Sequence, residues 1–192
     1  MTKLISKNDG ILLLELARQS ILHEFKKQKD NLKIIKNKIS APILKENRGT
    51  FVTLHKNREL RGCIGNIDPV KNIFKGIQDN AKHAAFDDTR FTPLTHEELE
   101  QTNIEISILT RPEKIKYTDS NDLIAKLLPG IDGVIIQKGY KSATFLPQVW
   151  EQLQDPKIFL THLCTKAGLP SNEWESGKLD VSIYQVQLFE ES

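Results

Sequence analysis

Two glycines inside an otherwise strand-forming run, Leu60-Arg61-Gly62-Cys63-Ile64-Gly65, constrain this chain more than any other stretch. Glycine within a strand gives up side-chain packing and loses more entropy on folding, on the order of 0.5–1 kcal/mol each relative to alanine. A strand tolerates this where it must bulge or where another group must approach its backbone closely. The run forms one arm of a predicted hairpin, residues 50–55 against 60–67, turned at Lys56-Asn57-Arg58-Glu59. Strict alternation puts Arg61 and Cys63 on one face of that arm and Leu60 and Ile64 on the other. His55 is the nearest base in sequence to the thiol, and parity decides its use. An even-numbered loop pairs His55 with Leu60 and turns it away from Cys63. The loop is read as even, so His55 is not expected to serve.

Around this hairpin the pattern is irregular. Asn8-Asp9 is read as the cap of a first helix with Leu13, Leu16, Ala17, Ser20 and Ile21 on one face. A lysine-rich stretch over residues 26–48 reads as a connector; it lacks the interleaved aromatics and arginines that stack on bases. Asp68-Pro69 is expected to open a helix whose stripe runs from Val70 through Ile73, Phe74, Ile77, Ala81, Ala84 and Ala85. Thr95-His96-Glu97-Glu98 is a capping box, and Asn103–Leu109 alternates as a strand. Asp119-Ser120 and Asp155-Pro156 open two further helices, a second hairpin spans residues 133–146, and residues 179–189 read as one long strand. Hairpins dominate the pairing, so the fold class is α+β: a largely antiparallel sheet with flanking helices.

A length of 192 residues fits one domain, and a net charge of +2 is too small to attract nucleic acid or acidic membranes by itself. No apolar run reaches the roughly 18–20 residues of a membrane span. Two cysteines far apart make no disulfide framework, which points to a reducing cytoplasm. No spacing of a zinc site, a phosphate loop or a dinucleotide fingerprint occurs, so no metal is expected and no cofactor is implied.

Chemistry therefore rests on a few residues, each with two readings. Cys63 is a candidate nucleophile, or a small buried hydrophobe. Arg61 anchors an anionic group, or pairs with a carboxylate such as Asp88. The amides near Gly62 and Gly65 can seat an oxyanion or phosphate. Asp88 and Arg90 brace a turn, or rim a pocket. Gln148, after Pro147, can hydrogen-bond a ligand or a backbone group. Cys164 sits on an apolar helical stripe and reads as core; His162, two residues away, reads as surface.

The hexapeptide resembles the signature of the AMMECR domain family, known in prokaryotes as AmmeMemoRadiSam system protein A. Further stretches resemble the family in order: Gly49–Leu54, Ala84-Ala85, Asp88-Thr89-Arg90-Phe91 with Thr89 where proline is common, Glu105–Leu109, Leu146-Pro147-Gln148-Val149, and residues 159–169. The resemblance implies one domain over residues 1–192 with two unequal lobes, the smaller read at about 112–147, and the hexapeptide on a strand beside the cleft between them. It also implies association with a Memo-type protein and a radical-SAM enzyme.

Two functions follow. One is a small-molecule-binding or cysteine-dependent enzyme component, with Cys63 at the reacting centre and Arg61, Gly62, Ile64, Gly65, Asp88, Arg90 and Gln148 around the ligand. The other is a non-catalytic adaptor that binds a partner protein or, through the lysines, RNA.

Overall fold

In a computed structural model, residues 4–26, 35, 38 and 41–191 are described. The chain divides into two compact units, Met1–Thr110 with Gln187–Ser192, and Arg111–Val186. Most of the 26–48 stretch read as a connector lies outside the described residues.

The first unit is built on a four-stranded sheet. β1 (Thr50–Lys56), β2 (Glu59–Asn66) and β3 (Thr102–Leu109) pair antiparallel, and β8 (Val186–Glu190) completes the order β2-β1-β3-β8. Alternation sends Val52, Leu54, Ile104, Ile106 and Ile108 to one face, all at most 1% exposed. Two helices cover that face. α1 (Lys7–Lys26) contributes Leu13, Leu16, Ala17 and Ile21, and α2 (Ile73–Phe86) contributes Ile73, Ile77, Ala81, Ala84 and Ala85. A short helix, α3 (His96–Glu100), precedes β3 and starts at the expected capping box: the Thr95 hydroxyl accepts from Glu98 N–H while the Glu98 carboxylate accepts from Thr95 N–H.

Two helix starts differ from the sequence reading. The cap of α1 is Ser6, whose hydroxyl accepts from the Asp9 amide and donates to its carboxylate, so Asn8-Asp9 lies in the first turn. α2 begins at Ile73, capped by Asn72, and Val70 is 68% exposed. A backbone bridge between Asn47 and Asn72 and a hydrogen bond from Arg48 N–H to Lys71 O hold the chain extended there, so Asp68-Pro69 cannot begin a helix.

The second unit carries the other sheet: β4 (Glu113–Lys114), β5 (Gly133–Lys138), β6 (Lys141–Phe145) and β7 (Asp180–Tyr184), in the order β4-β7-β5-β6 and antiparallel throughout. α4 (Ser120–Lys126) and α5 (Pro156–Lys166) start at Asp119 and Asp155, as their sequences predict. The Trp150 ring stacks on Phe159 at 3.7 Å between centroids, at the centre of this unit's own core. The last strand is not one strand. It breaks at Gln185 into β7 and β8, because each half pairs with a different sheet.

Candidate functional site

The β1–β2 turn has two residues, Asn57 and Arg58, both left-handed at φ 55° and 67°. Such a loop is even, as expected, yet its consequence is reversed one step later. Lys56 opposes Glu59 and His55 opposes Leu60, but Leu54 then skips Arg61 to oppose Gly62, Thr53 opposes Cys63, and Val52 opposes Ile64. Arg61 is the extra residue of a β-bulge, and a one-residue insertion exchanges the two faces beyond it. Without it Cys63 would oppose Val52 in the core. With it the thiol stands on the face turned away from α1 and α2, the same face as His55. Leu60 and Ile64, expected together, are parted: Ile64 packs on the core and Leu60 is 43% exposed. The group in contact with the sulfur is nevertheless Thr53, whose hydroxyl donates to Cys63 Sγ at 3.3 Å.

Close approach explains both glycines, and the approaching groups belong to the chain itself. A Cβ at Gly62 would lie 2.2 Å from the Ala84 carbonyl oxygen, so α2 rests its backbone directly on the strand. A Cβ at Gly65 would lie 2.3 Å from the Phe51 ring, its cross-strand neighbour, and 2.4 Å from the Thr50 carbonyl. An anion is already seated on the motif's main chain as well. Asp88 Oδ2 accepts the Cys63 amide at 2.9 Å, and Arg90 Nη2 donates to the Cys63 carbonyl at 3.3 Å. Arg90 also grips Asp88 through Nε at 2.9 Å and Nη2 at 2.7 Å. Asp88 is 6% exposed, and the Arg90 guanidinium holds its carboxyl well below the usual carboxylate range. Arg90 itself is 55% exposed at its side chain.

Arg61 pairs with Glu98, not with Asp88. Its Nη2 reaches Glu98 Oε2 and the Thr92 carbonyl, each at 2.9 Å, and Lys56 joins the same carboxylate at 3.1 Å. The Arg61 guanidinium, aided by Lys56 and opposed by burial, holds the Glu98 carboxyl down at about 2. The Phe91 ring lies 5.8 Å from the Arg61 guanidinium and 5.5 Å from that of Arg90, within cation–π range of both. Asp88, Arg90 and Arg61 thus form one charged collar around Phe91 and the Cys63 backbone. Sequence reasoning found the two arginines and Asp88, and missed Thr53, Phe91 and Glu98. The capping box marked Glu98, but nothing local linked it to Arg61, 37 positions away. Gln148 stands on a short 3₁₀ turn of the second unit, with its side chain exposed. Cys164 is fully buried on α5, and burial pushes its thiol up.

The face that receives Cys63 also carries a hollow of about 440 Å³. His55, the turn residues Asn57 and Arg58, Asn103, Glu105 and Glu190 line it, with Gln101, Ile104 and Glu191. None of the residues singled out in the sequence as ligand contacts lines this hollow. The register nonetheless connects them: Cys63 opposes Thr53, and Thr53 opposes Glu105 on the next strand. Two strand spacings put the Cys63 backbone about 10 Å from that of Glu105 in the hollow. No group of three His, Cys, Asp or Glu residues placed to hold a metal occurs among the described residues. Among them, too, no helix is long and apolar enough to cross a membrane.

The AMMECR1 family model matches residues 14–189. A protein of Methanopyrus kandleri, MK0488, is 36% identical over all of this chain and 92% of its own length. SSO0193 of Saccharolobus solfataricus is 38% identical over 98% of this chain and 84% of its own length. The crystal structure of the uncharacterized protein PH0010 from Pyrococcus horikoshii superimposes with a TM-score of 0.81 at 33% identity, covering 98% of this chain and 94% of that one.

Proposed function

The chain belongs to the AMMECR1 family, and from that premise we propose that it is a small-molecule-binding component whose binding face is the side of the first sheet turned away from α1 and α2. The observation that supports this reading is the bulge at Arg61. An unpaired residue in a strand disrupts the ladder, and here it moves one thiol out of the core and onto a face that also holds a hollow.

Cys63 serves as a thiol contact of the ligand rather than as an activated nucleophile. Its hydrogen-bonding neighbour is a hydroxyl, and no histidine or lysine hydrogen-bonds the sulfur among the described residues. The amide that would seat an oxyanion is engaged by Asp88. Arg90, braced from behind by that carboxylate and more than half exposed, is the cation that meets an anionic ligand group; Arg61, 12% exposed and spent on Glu98, positions the loop. The protein works in the cytoplasm, where both free cysteines stay reduced, alongside the Memo-type and radical-SAM proteins that the family resemblance implies.

Alkylation of the native protein by iodoacetamide tests the reading, with Cys164 as the internal reference for a buried thiol. Cys63 should react before unfolding, and a metabolite fraction that raises the melting temperature should slow that reaction. A Cys63 that stays unreactive until Cys164 does, or that no stabilising fraction protects, returns the face to the adaptor reading.

A further inference from the structure

The hollow carries opposite charges at its two ends, and this specifies a class of guest. Its floor is Glu105, half-buried in the middle of β3. Neighbouring carboxylates are occupied: Glu98 by Arg61 and Lys56, and Glu191 by Arg18 and the Ile104 amide. The Glu105 carboxylate has no hydrogen bond and no ion pair among the described residues. Removing a carboxylate from water without a partner is unfavourable, and the strain shows as a carboxyl group pushed up by burial and by Glu190, with His55 opposing. A cationic guest would reverse it.

The other end is the turn. Arg58 holds a left-handed φ of 67°, where glycine is the favoured residue, and its guanidinium has no ion pair among the described residues. With Asn57, Asn103 and Gln101 it gives that end donors for an anionic oxygen. Along β3 from Asn103 to Glu105 is two residues, about 7 Å. The volume suits a molecule of that span with water around it.

We infer that this hollow binds a short-chain amino acid zwitterion, with its ammonium on Glu105 and Glu190 and its carboxylate at Arg58 and Asn103. The inference rests on the small-molecule-binding reading of this face and goes beyond it: the hollow takes a guest of its own, two strands away from Cys63 and apart from the contacts at Cys63 and Arg90.

Three four-carbon probes separate the charges: 4-aminobutanoate, 1,4-diaminobutane and butanedioate. Each is titrated into the ¹⁵N-labelled full chain. 4-Aminobutanoate should shift the amides of His55, Asn103 and Glu105. Glu105→Gln should weaken it about tenfold, an ion pair's worth, as should Arg58→Gly. Diaminobutane should lose affinity in Glu105→Gln but not in Arg58→Gly. Arg58→Gly suits its backbone angle, so weakened binding there cannot be blamed on misfolding. Equal affinity in wild type and Glu105→Gln overturns the inference, as does a hollow that answers only to butanedioate; binding of a small molecule survives in both. Silence toward all three probes also overturns it, and the Cys63 protection experiment then decides whether the broader reading falls with it.

Discussion

The Asp88 carboxylate accepts the Cys63 amide proton at 2.9 Å, so the main chain of the glycine-flanked motif is held by a side chain 25 positions away. Asp88 does there what a bound anion would do, and it aims Arg90 at the carbonyl of the same residue, one peptide further on. Asp88→Ala leaves the Cys63 N–H without its acceptor and Arg90 without its brace, and should lower unfolding free energy by roughly 2–3 kcal/mol. Asp88→Asn keeps an acceptor oxygen and loses the charge, so about half of that loss is expected. Urea unfolding of the two variants measures the difference, and equal losses would show that the hydrogen bond to Cys63 contributes nothing.

Gly62 tests how tightly α2 sits on the strand. The missing Cβ would fall 2.2 Å from the Ala84 carbonyl, a backbone atom within a helix that cannot swing aside. Gly62→Ala should therefore destabilise by about 2–3 kcal/mol, the upper part of the range for an overpacked core, beyond any change in chain entropy. An unchanged denaturation midpoint would mean that the helix can retreat freely.

The Arg61–Glu98 pair has a pH signature. Glu98 is held at about 2 in the folded chain against 4.5 for an ordinary glutamate. The folded value is depressed, so the contribution is fully present above about pH 4.5 and is lost as pH falls toward 2. Solvent screens this partly exposed pair, and about 1 kcal/mol is expected from it. Glu98→Gln should match that deficit at pH 6, and the gap to wild type should close between pH 4.5 and 2. A gap that stays constant down to pH 2.5 would show that the carboxylate's charge is irrelevant to folding.

Local signals were legible in the sequence and long-range ones were not. The Thr95–Glu98 capping box, the Asp155-Pro156 helix start and both hairpins are decided by neighbours within four residues, and the structure has them. The bulge was invisible, because glycines on either side of Cys63 say that something approaches without saying which residue is inserted. Parity reasoning about His55 and Cys63 then failed on that single unpaired residue, although the loop is even as expected, with two residues where the sequence suggested four. The tail failed for a related reason: residues 179–189 alternate well enough for one strand, and only the sheet partners divide them. The hollow draws on β1, β3 and β8, segments far apart in the chain, so no window of sequence could display it.

Arg58 is where stability and binding should part. A side chain at φ 67° in the second position of a two-residue hairpin turn is held about 1 kcal/mol or more above what glycine would require there. No hydrogen bond or ion pair of the Arg58 side chain offsets that among the described residues, and the residue is exposed. Arg58→Gly should then raise the unfolding free energy by about 1 kcal/mol. Thermal melting without ligand reads this directly. Saturating 4-aminobutanoate should narrow the gap, since it stabilises only the folded state and binds the arginine protein more tightly. A glycine variant that melts lower than wild type would show that Arg58 supports the turn, and would remove the reason for assigning its guanidinium to a guest.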